Sequence, residues 1–522
     1  MHWSERAARE VIKKYPDCEE YVCAAGISPS GAVHIGNFRD IATSYFVMKS
    51  LRRLGKKAKM IFSWDEYDRL RKVPANVKAI RDDFERYIGM PYALVPDPFG
   101  CHESYAKHFE AEFEKSLRDF GIELEFKYQS ENYLSGKYKD DVMYAIDRRK
   151  EIYDIIMAHK TQEASEEERE RYYPVSIYCD ECGKDDTTVL SVDENHVAEY
   201  ECKCGHKGRF DFNTQFNCKL AWKIDWPMRW RYENVCFEPG GKDHAAPGGS
   251  FDVSKIISKK IFGFEAPSFV GSEFIGIKGN VGKMSSSSGF NLTPETLLKV
   301  YEPEVILWLY SKTEPQRAFD FCFDEEILRQ YFEFDKMLAD YRKGKTGPAK
   351  EIMELVMDGR DTAEKAPIQQ LVNFGPIVNW DPDLLEVLFE KIGTPYKKSQ
   401  FEGRMKLARN WLELCSPESL IKLREKKDEE YFDSLDDRQK RAIRLLHERL
   451  SQGEYAMDGM KTVLYDVVAE VYGEIDPEEK KKVQADFFRN VYLLLIGRET
   501  GPRLYLFLTA LRKEEYLGLL DF

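Results

Sequence analysis

The sequence lacks any long apolar stretch and has few cysteines. No run of about 18 apolar residues occurs, so no transmembrane helix is predicted. The first residues, MHWSERAAREVIKKYP, are charged and amphipathic and lack the apolar centre of a secretory signal. The chain has 11 cysteines, an odd count that favours a reducing compartment, where clustered cysteines more often bind metal than form disulfides. We therefore expect a cytoplasmic protein with no membrane partner.

An excess of positive charge is also absent. The 522 residues include 78 Lys and Arg against 91 Asp and Glu, for a formal net charge of −13. This balance excludes a generally basic protein that coats nucleic acid, but it allows local basic surfaces. Hydrophobic residues make up 43% and charged residues 32%, which is typical of a globular chain, and the length suffices for three or four domains.

One short segment predicts a phosphate-binding turn. PSGAVHIGN (29–37) follows a strand-like run from Tyr21 to Gly26 and precedes a helical pattern from Phe38 to about Leu54. A strand, a glycine-bearing turn and a helix N-terminus present backbone N–H groups to a phosphate. His34 can donate to phosphate oxygens, and Gly36 has no Cβ, so an adenine ring can lie on the backbone there.

A second segment, GKMSSSS (282–288), predicts a phosphate-handling loop. Lys283 brings a positive charge to a hydroxyl-rich loop that is bracketed by Gly279, Gly282 and Gly289. Such a loop can close on a phosphorus as its negative charge is redistributed. Taken singly, the first segment is explained equally well by a helix cap and the second by a flexible Ser/Gly loop. Their occurrence together favours phosphate binding over these alternatives.

Clustered cysteines predict a zinc module. Two pairs lie close in sequence, at Cys179 and Cys182 and at Cys202 and Cys204, with His206 just beyond. Two thiolate turns of this kind supply four tetrahedral ligands and leave no open position for catalysis. The fourth ligand is Cys204 or His206, and the Cys-x-Cys-Gly turn favours Cys204. Four buried cysteines without metal are the alternative.

A second group offers every common type of zinc ligand within twelve residues. Its members are Asp97, Cys101, His102 and His108. We expect Cys101 and His108, seven apart, to share one helix face, with Asp97 and His102 on the preceding turn. A capped helix start with surface histidines explains the same residues, and both interpretations stay open.

The order of patterns along the chain predicts its organisation. The first residues read as strand–helix–strand, with the second strand at 58–64, and polar residues from Asp65 onward follow that strand's carboxyl end, where open α/β sheets hold ligands. Charged amphipathic helices and the cysteine module occupy the middle, and strand character returns near residue 234, followed by a glycine-rich turn and a helix for which Ser250 is the predicted N-cap. Residues 269–277 read as the last strand, and almost only helix is predicted beyond Leu292.

The two phosphate segments resemble the ATP-handling motifs of class I aminoacyl-tRNA synthetases, and further stretches resemble the class I lysyl-tRNA synthetase family of archaea and some bacteria. These stretches are DEYDRLRKVP (65–74), WKIDWPMRW (222–230), GKDH (241–244) and IGRETGPRL (496–504). Trp64 departs from the small or acidic residue expected before the first of them, which leaves the lysine-binding carboxylate in doubt.

The resemblance implies an α/β Rossmann-like catalytic domain with a zinc-containing insertion, followed by an all-α C-terminal domain. We expect the two catalytic halves at 1–89 and 218–291, the insertion at 90–217, a helical region that contacts the tRNA stem at 292–350, and an anticodon-binding domain at 351–522. In that last domain Phe487, Tyr492 and Tyr505 are possible base-stacking residues, although core packing suits each of them better.

The same resemblance implies the reaction and its residues. L-lysine and ATP form lysyl-adenylate, from which tRNA(Lys) accepts the lysine, with Mg²⁺ bound to ATP and Zn²⁺ at one or both metal clusters. Neither step needs an enzyme nucleophile, because positioning and charge stabilisation suffice. The implied ATP-binding residues are His34, Gly36, Asn37, Lys283, Met284, Ser285 and Ser286, of which His34, Asn37 and Lys283 are the catalytic ones.

The implied lysine-binding residues are Gly26, Ser28, Trp222, His244 and Asp65. Trp222 would wall the aliphatic stem and make a cation–π contact. By chemistry alone, Asp65, Asp225 and Glu238 are each able to bind the ε-ammonium, and each is equally explained as an ordinary ion pair.

Three other functions are compatible with parts of the sequence. A synthetase for glutamate or glutamine would need an arginine in its pocket, which Arg229 or Arg231 could supply. A nucleotidyltransferase that makes a small-molecule adenylate would leave about 200 helical C-terminal residues without a role. A non-catalytic RNA-binding relative is disfavoured by the presence of His34, Gly36 and Lys283.

Overall fold

A computed structural model describes residues 1–160, 165–279, 292–417 and 420–522 of the chain. The predicted ATP-loop residues Lys283, Met284, Ser285 and Ser286 lie outside these described residues. The described chain divides into two compact units. The first contains Met1–Lys278, 292–321 and Asp340–Arg360, and the second contains Cys322–Ala339 and Asp361–Phe522.

The strands belong almost wholly to the first unit. They are β1 Tyr21–Ile27, β2 Ala58–Trp64, β3 Glu125–Tyr128, β4 Val175–Ile177, β5 Thr187–Val192, β6 Val197–Cys202, β7 Lys207–Asp211, β8 Cys218–Leu220, β9 Val235–Phe237, β10 Gly240–Gly241, β11 Gly271–Ser272, β12 Ile275–Lys278 and β13 Phe319–Cys322.

The helices through residue 356 are α1 Trp3–Lys14, α2 Ile35–Arg53, α3 Ala75–Lys78, α4 Tyr105–Asp119, α5 Gln129–Leu134, α6 Lys139–Asp147, α7 Arg149–Met157, α8 Glu166–Arg171, α9 Trp222–Glu233, α10 Ser250–Lys260, α11 Pro294–Leu297, α12 Pro303–Lys312, α13 Glu326–Arg342 and α14 Pro348–Val356. Of these, most of α13 belongs to the second unit.

A parallel four-stranded sheet, in the order β3-β2-β1-β9, forms the centre of the first unit. β1 pairs with β2 in register from Tyr21 opposite Ala58 to Ile27 opposite Trp64. β1 is buried from Tyr21 to Ala25, as a central parallel strand covered on both faces should be. The chain leaves β1 and enters α2, so the carboxyl ends of β1, β2 and β9 meet at one edge of the sheet.

Two antiparallel groups form the middle of the chain. β4 pairs with β8, and β5, β6 and β7 form a three-stranded meander. These strands share a hydrophobic cluster with α6, α7 and α9 that includes Ile177, Tyr200 and Phe210. Three separate helices, α6, α7 and α8, occupy the region where the sequence pattern indicated helix from Lys137 to Glu170.

The second unit is helical. Beyond α13 it contains α15 Ile368–Phe374, α16 Pro382–Lys391, α17 Glu402–Cys415, α18 Glu429–Ser434, α19 Asp437–Gln452, α20 Met457–Tyr472, α21 Pro477–Ile496, α22 Leu504–Ala510 and α23 Lys513–Leu520. Leu446, Leu464 and Leu495 are each almost completely buried in a core shared by these helices. In the described part of the chain, every helix is too short or too polar to span a membrane.

The sequence predicted most element positions correctly and missed some details. β2 matches the predicted strand at 58–64, α12 lies in the region beyond Leu292 where helix was predicted, and a mixed α/β chain with a helical C-terminal region is confirmed. The prediction of almost only helix beyond Leu292 was wrong at β13, whose alternating FDFC sequence pairs with β12. The predicted strand at 269–277 is two short strands, β11 and β12. Ser250 is the first residue of α10, and Gly249 is its N-cap.

Candidate functional site

The N-terminus of α2 lies at the carboxyl edge of the sheet, directly after the turn from β1. His34 is the N-cap, and its Nδ1 accepts a hydrogen bond from the Gly36 N–H at 3.1 Å. This bond assigns the proton to the other ring nitrogen, Nε2. Partial burial lowers the pKa of His34, so the ring is neutral near pH 7 and still has one N–H to donate.

Gly36 is required by the His34 ring. A Cβ at this position would lie 2.9 Å from both Cε1 and Nδ1 of His34, which is too close for real side chains. The glycine therefore lets the imidazole fold over the first turn of α2. The predicted adenine contact at Gly36 stays a prediction, but the space that a Cβ would fill holds His34.

A pocket opens between the carboxyl ends of β1, β2 and β9 and the helix α9. The predicted residues Gly26, Asp65, Trp222 and His244 all line it. Its other lining residues, none of which was predicted to bind lysine, include Asp40, Ser63, Lys127, Gln129, Trp226, Trp230 and Glu233. They come from strand ends and from one face of α9, positions that become neighbours only through the sheet topology.

Tryptophans of α9 form one wall of the pocket. The rings of Trp222 and Trp226 stack with centroids 4.9 Å apart, and His244 meets Trp226 edge-on at 6.0 Å. The guanidinium of Arg229 lies 5.2 Å from the Trp222 ring centroid. Trp222 therefore already makes a cation–π contact with an internal cation, so its predicted contact with a substrate cation needs another part of the ring.

Pro227 lies inside α9, where it cannot donate a hydrogen bond to the carbonyl four residues earlier. That carbonyl belongs to Lys223, and the hydroxyl of Ser254 on α10 donates to it at 3.0 Å. The bond between the two helices satisfies the group that proline leaves free. It holds the tryptophan wall against α10.

A buried ion network lies beside the pocket. Arg229 contacts Asp65 at 2.6 Å and Asp225 at 3.2 Å. Lys219 contacts Asp225 at 3.2 Å and Asp68 at 2.8 Å. Burial alone would lower the pKa values of both cations, but the adjacent carboxylates raise them above their ordinary values, so both stay charged.

This network argues against a pocket for an acidic side chain. Its three carboxylates outnumber its two cations, so Arg229 has no unmatched charge to offer a substrate carboxylate. Arg231, the other arginine considered, pairs with Asp141 at 2.8 Å. Ser28, predicted to contact lysine, donates instead to Asp68 at 3.1 Å and lines the neighbouring groove rather than this pocket.

Glu238 differs from the other carboxylates near the pocket. It is buried, lines the pocket, and accepts a hydrogen bond from the Trp230 indole N–H at 2.7 Å. Within the described residues no ion pair joins Glu238 to a lysine or arginine. Burial without such a partner raises its pKa to about 7. Asp65 and Asp225, by contrast, are already matched by Arg229.

The four cysteines of the predicted zinc module lie together. Their sulfur atoms are all within 4.8 Å of one another, and two of the pairs are 3.8 Å (Cys179–Cys204) and 3.6 Å (Cys182–Cys202) apart. Four thiolates about 2.3 Å from a tetrahedral zinc would be about 3.8 Å from one another. Cys204, rather than His206, completes this set.

The second predicted group is also gathered at one place. The Cys101 sulfur lies 3.2 Å from Nδ1 of His102 and 3.3 Å from Nδ1 of His108, and the Asp97 carboxylate lies within 4.0 Å of both histidines. Ligands of a tetrahedral zinc would lie about 3.5 Å apart. The helix begins only at Tyr105, so the expectation that Cys101 and His108 share a helix face was wrong. Asp97 instead folds the turn by accepting from the Cys101 and His102 N–H groups.

Comparison with known proteins identifies the family. Residues 1–358 match the family model described as tRNA synthetases class I (K). A lysine–tRNA ligase of Treponema pallidum is 43% identical over 64% of this chain and 63% of its own length, so the chain spans less than two thirds of that relative. A lysine–tRNA ligase of Pyrococcus horikoshii is 34% identical over 98% of this chain and 97% of its own length.

Among solved structures, a glutamate tRNA ligase from Elizabethkingia meningosepticum is 13% identical over 97% of this chain and 99% of that chain, with a TM-score of 0.49. The family model covers more than half of the chain, and the Pyrococcus relative matches almost all of it. The chain therefore belongs to the class I lysyl-tRNA synthetase family.

Proposed function

We propose that the protein attaches L-lysine to tRNA(Lys) in two steps at the carboxyl edge of its parallel sheet. A carboxylate oxygen of lysine attacks the α-phosphorus of ATP, and pyrophosphate leaves. A ribose hydroxyl at the 3′ end of tRNA then attacks the carbonyl carbon of lysyl-adenylate, and AMP leaves. Mg²⁺, held by the phosphates and water, would screen the charge of ATP.

The pocket beside α9 suits the side chain of lysine. Tryptophan rings cover the aliphatic stem, and the charged residues lining the pocket include four carboxylates, Asp40, Asp65, Glu233 and Glu238, against two cations, Lys127 and Arg229. This excess of negative charge complements a cationic ligand. Gly26 lets the ligand approach β1, while Asp65 and His244 contribute polar contacts. Ser28 would act from the neighbouring groove.

Glu238 is the carboxylate that receives the ε-ammonium, and its lack of a cationic partner is the observation that carries the proposal. A carboxylate buried without a cation is costly, and a bound ammonium removes that cost by a charge-assisted hydrogen bond. The Trp230 N–H fixes one carboxylate oxygen and leaves the other for the substrate. Asp65 then serves mainly to hold Arg229.

The phosphates of ATP are bound at the N-terminus of α2. His34 donates from Nε2 and Asn37 from its side-chain amide, and the helix N-terminus adds its partial positive charge. Gly36 supports this arrangement by accommodating the His34 ring. Lys283, with Met284, Ser285 and Ser286, would stabilise the charge that develops as pyrophosphate leaves.

Both metal clusters fit Zn²⁺. Each offers four ligand atoms at tetrahedral separations, and neither leaves an open coordination position, so each would stabilise the fold rather than take part in the reaction. Cys179, Cys182, Cys202 and Cys204 would hold one ion in the insertion, residues 90–217. Asp97, Cys101, His102 and His108 would hold the other beside α4.

The remaining domains follow the same proposal. The catalytic halves are 1–89 and 218–291, residues 292–350 approach the tRNA stem, and the helical region 351–522 binds the anticodon. Phe487 and Tyr492 are buried and Tyr505 packs against the same helical core, so these three aromatics support the fold of that region. Base stacking there would need other side chains.

The test is aminoacylation of total tRNA with each amino acid in turn, followed by measurement of the KM for lysine. Wild-type protein should charge lysine alone. Glu238→Gln should raise the KM for lysine about 10- to 150-fold, the effect of losing one hydrogen bond between charged groups. Charging is retained at high lysine concentration because the phosphate-binding residues are unaltered.

Glu265→Gln is the matched control, because Glu265 is an exposed carboxylate of the same unit outside this pocket. It should leave the KM for lysine unchanged. Charging with glutamate by the wild-type protein would overturn the proposal for the pocket. An unchanged KM for lysine in Glu238→Gln would show that another carboxylate binds the ε-ammonium.

A further inference from the structure

A groove runs from the N-terminus of α2 along the segment that follows β2. One wall is the turn from Ser30 to His34 with Asn37, and the other is the segment from Arg71 to Lys78, with Tyr92 beside it. All of these residues belong to the first unit. We call this feature the 71–78 groove.

Among the described residues, the lining of the 71–78 groove contains three cations and no carboxylate. The cations are Arg71, Lys72 and Lys78, all of them exposed. In a chain with a net charge of −13, a lining of this composition stands apart from the acidic average. A cleft lined by one sign of charge concentrates ligands of the opposite sign.

Two of these cations have no counter-ion. Lys78 pairs with Glu85, but neither Arg71 nor Lys72 makes an ion pair within the described ranges. Most other basic side chains around the sheet have one, as Lys127 does with Glu125 and Glu233. Arg71 and Lys72 are therefore free to bind an external anion.

The groove also has the apolar surface that unpaired bases need. Pro74 lies between its cations and Ala32 on the opposite wall, and both are half-buried, with part of their apolar surface accessible. Grooves that bind single-stranded nucleic acid combine cations along the backbone with apolar or aromatic faces for the bases.

The end of the groove is the reaction centre. His34 and Asn37 belong both to the groove lining and to the proposed site for the ATP phosphates. The 3′-terminal ribose of tRNA must reach the same point to attack the adenylate, and the nucleotides before it must reach that point from the protein surface. The groove supplies a path with the right charge.

We propose that the 71–78 groove binds the single-stranded 3′ end of tRNA, with Arg71 and Lys72 contacting its phosphates and Pro74 and Ala32 facing its bases. The inference rests on the function proposed above and adds the place where the 3′ end of tRNA enters the reaction centre. Arg71 and Lys72 are positioning residues, since they touch the tRNA backbone and not the reacting atoms.

The test is a cycle between a protein variant and a shortened RNA. Equilibrium binding is measured for wild-type protein and for Arg71→Ala/Lys72→Ala, each with intact tRNA(Lys) and with tRNA(Lys) trimmed of its unpaired 3′ nucleotides. The double substitution should weaken binding of intact tRNA about tenfold. It should leave binding of the trimmed tRNA unchanged, because the contacts that it removes are already absent.

Aminoacylation kinetics distinguish binding of the tRNA phosphates from binding of the ATP phosphates. In aminoacylation the variant should raise the KM for tRNA and leave the KM for ATP within twofold. The salt dependence of tRNA binding should fall by about 1.4 in logarithmic slope, about 0.7 for each of two contacts to a single strand. Arg71→Lys/Lys72→Arg should retain most of the affinity, since the charges remain.

Lys57→Ala/Lys207→Ala is the matched control, as it removes two exposed charges of the first unit outside the groove. Equal weakening of intact and trimmed tRNA would show that the groove does not hold the 3′ end. A raised KM for ATP would assign the groove to ATP instead. Failure of the wild type to charge lysine would refute the proposed function but not this binding result.

Discussion

At the scale of single residues, a buried carboxylate without an ion-pair partner is better evidence for a cation-binding site than a carboxylate that is already paired. Asp65, Asp225 and Arg229 form a buried network whose members satisfy one another, which makes them structural for the pocket. Glu238, two residues beyond Cys236 on the same strand end, is buried, accepts from the Trp230 indole N–H, and makes no ion pair with a lysine or arginine of the described residues. A residue left in this state is stabilised by the arrival of a cation.

The raised pKa of Glu238 predicts a pH dependence. Its pKa is about 7 in the free pocket, and an ammonium binds only the ionised carboxylate. Below pH 7 the proton must be lost before lysine binds, whereas the lysine ε-ammonium itself stays charged throughout this range. The KM for lysine should therefore rise about tenfold for each pH unit below about 7 and level off above it.

Measurement of the KM for lysine between pH 5.5 and 8.5 tests this prediction, since about three pH units bracket the expected pKa. Glu238→Gln should give a high KM that does not vary over the same range. A wild-type KM that stays constant below pH 7 would show that Glu238 is already ionised there and would contradict the assignment.

At the scale of elements, two local devices hold the site in place. In the insertion, the turns that follow β4 and β6 bring four sulfur atoms together, and Gly205, with a φ of 96°, makes the second turn possible. In the tryptophan wall, the Ser254 hydroxyl donates to the Lys223 carbonyl, to which Pro227 cannot donate because it has no N–H. Each of these two features depends on close contacts between neighbouring elements.

Removal of one sulfur ligand should release the metal from the cysteine cluster. Cys204→Ser is expected to lower the zinc content by one ion per chain and to increase amide exchange in β5, β6 and β7, because a tetrahedral site does not tolerate the loss of a thiolate. Metal analysis and hydrogen exchange measure both effects.

His206→Ala is the control for that experiment. His206 was the alternative fourth ligand, and its replacement should leave the zinc content unchanged. Loss of zinc in His206→Ala, together with retention in Cys204→Ser, would reverse the ligand assignment.

The contact between α9 and α10 predicts a coupling between Ser254 and Pro227. Ser254→Ala removes the donor to the Lys223 carbonyl and should lower the free energy of unfolding by about 1–3 kcal/mol. In a Pro227→Ala background the alanine N–H donates to that carbonyl, so Ser254→Ala should cost clearly less.

Denaturant unfolding of the two single variants and the double variant completes this cycle. Equal costs for Ser254→Ala in both backgrounds would mean that the hydroxyl has another role. Because Ser254 is fully buried, the same measurement also reports any cavity that the substitution leaves.

At the scale of the whole molecule, the chain has two compact units with cores of their own. The first is organised around the parallel sheet, and the second around a helical core that includes Leu446 and Leu495. The proposed chemistry belongs to the first unit alone, whereas anticodon binding is proposed for the second.

Separate cores predict separate responses to a core substitution. Leu446 is completely buried, so Leu446→Ala should cost the second unit about 2–5 kcal/mol. Amide exchange should accelerate in α19–α23 and stay unchanged in β1, β2 and β9.

Leu384→Ala, at an exposed position of the same unit, is the control and should change stability by about 0.5 kcal/mol or less. Equal acceleration of exchange in the sheet of the first unit would show that the two units unfold as one.

Local patterns in the sequence were sufficient for several features. Local strand and helix patterns predicted β2 and α2, because these elements depend on neighbours in the chain. The grouping of four cysteines was also predictable, since paired turns place both ligands of each pair by local geometry. β13 was missed because its partner strand, β12, lies about 40 residues earlier, and short strands take their stability from such partners.

By itself, the sequence determined the family and the cysteine set, which depend on residues close together in the chain. Only the tertiary structure decided which carboxylate is free, since Asp65, Asp225 and Glu238 look alike until Arg229 is seen to reach two of them. It also decided that Arg71 and Lys72 face His34 across a groove. Charge pairing acts through space, and the spatial neighbours of a residue are set by the fold rather than by its position in the sequence.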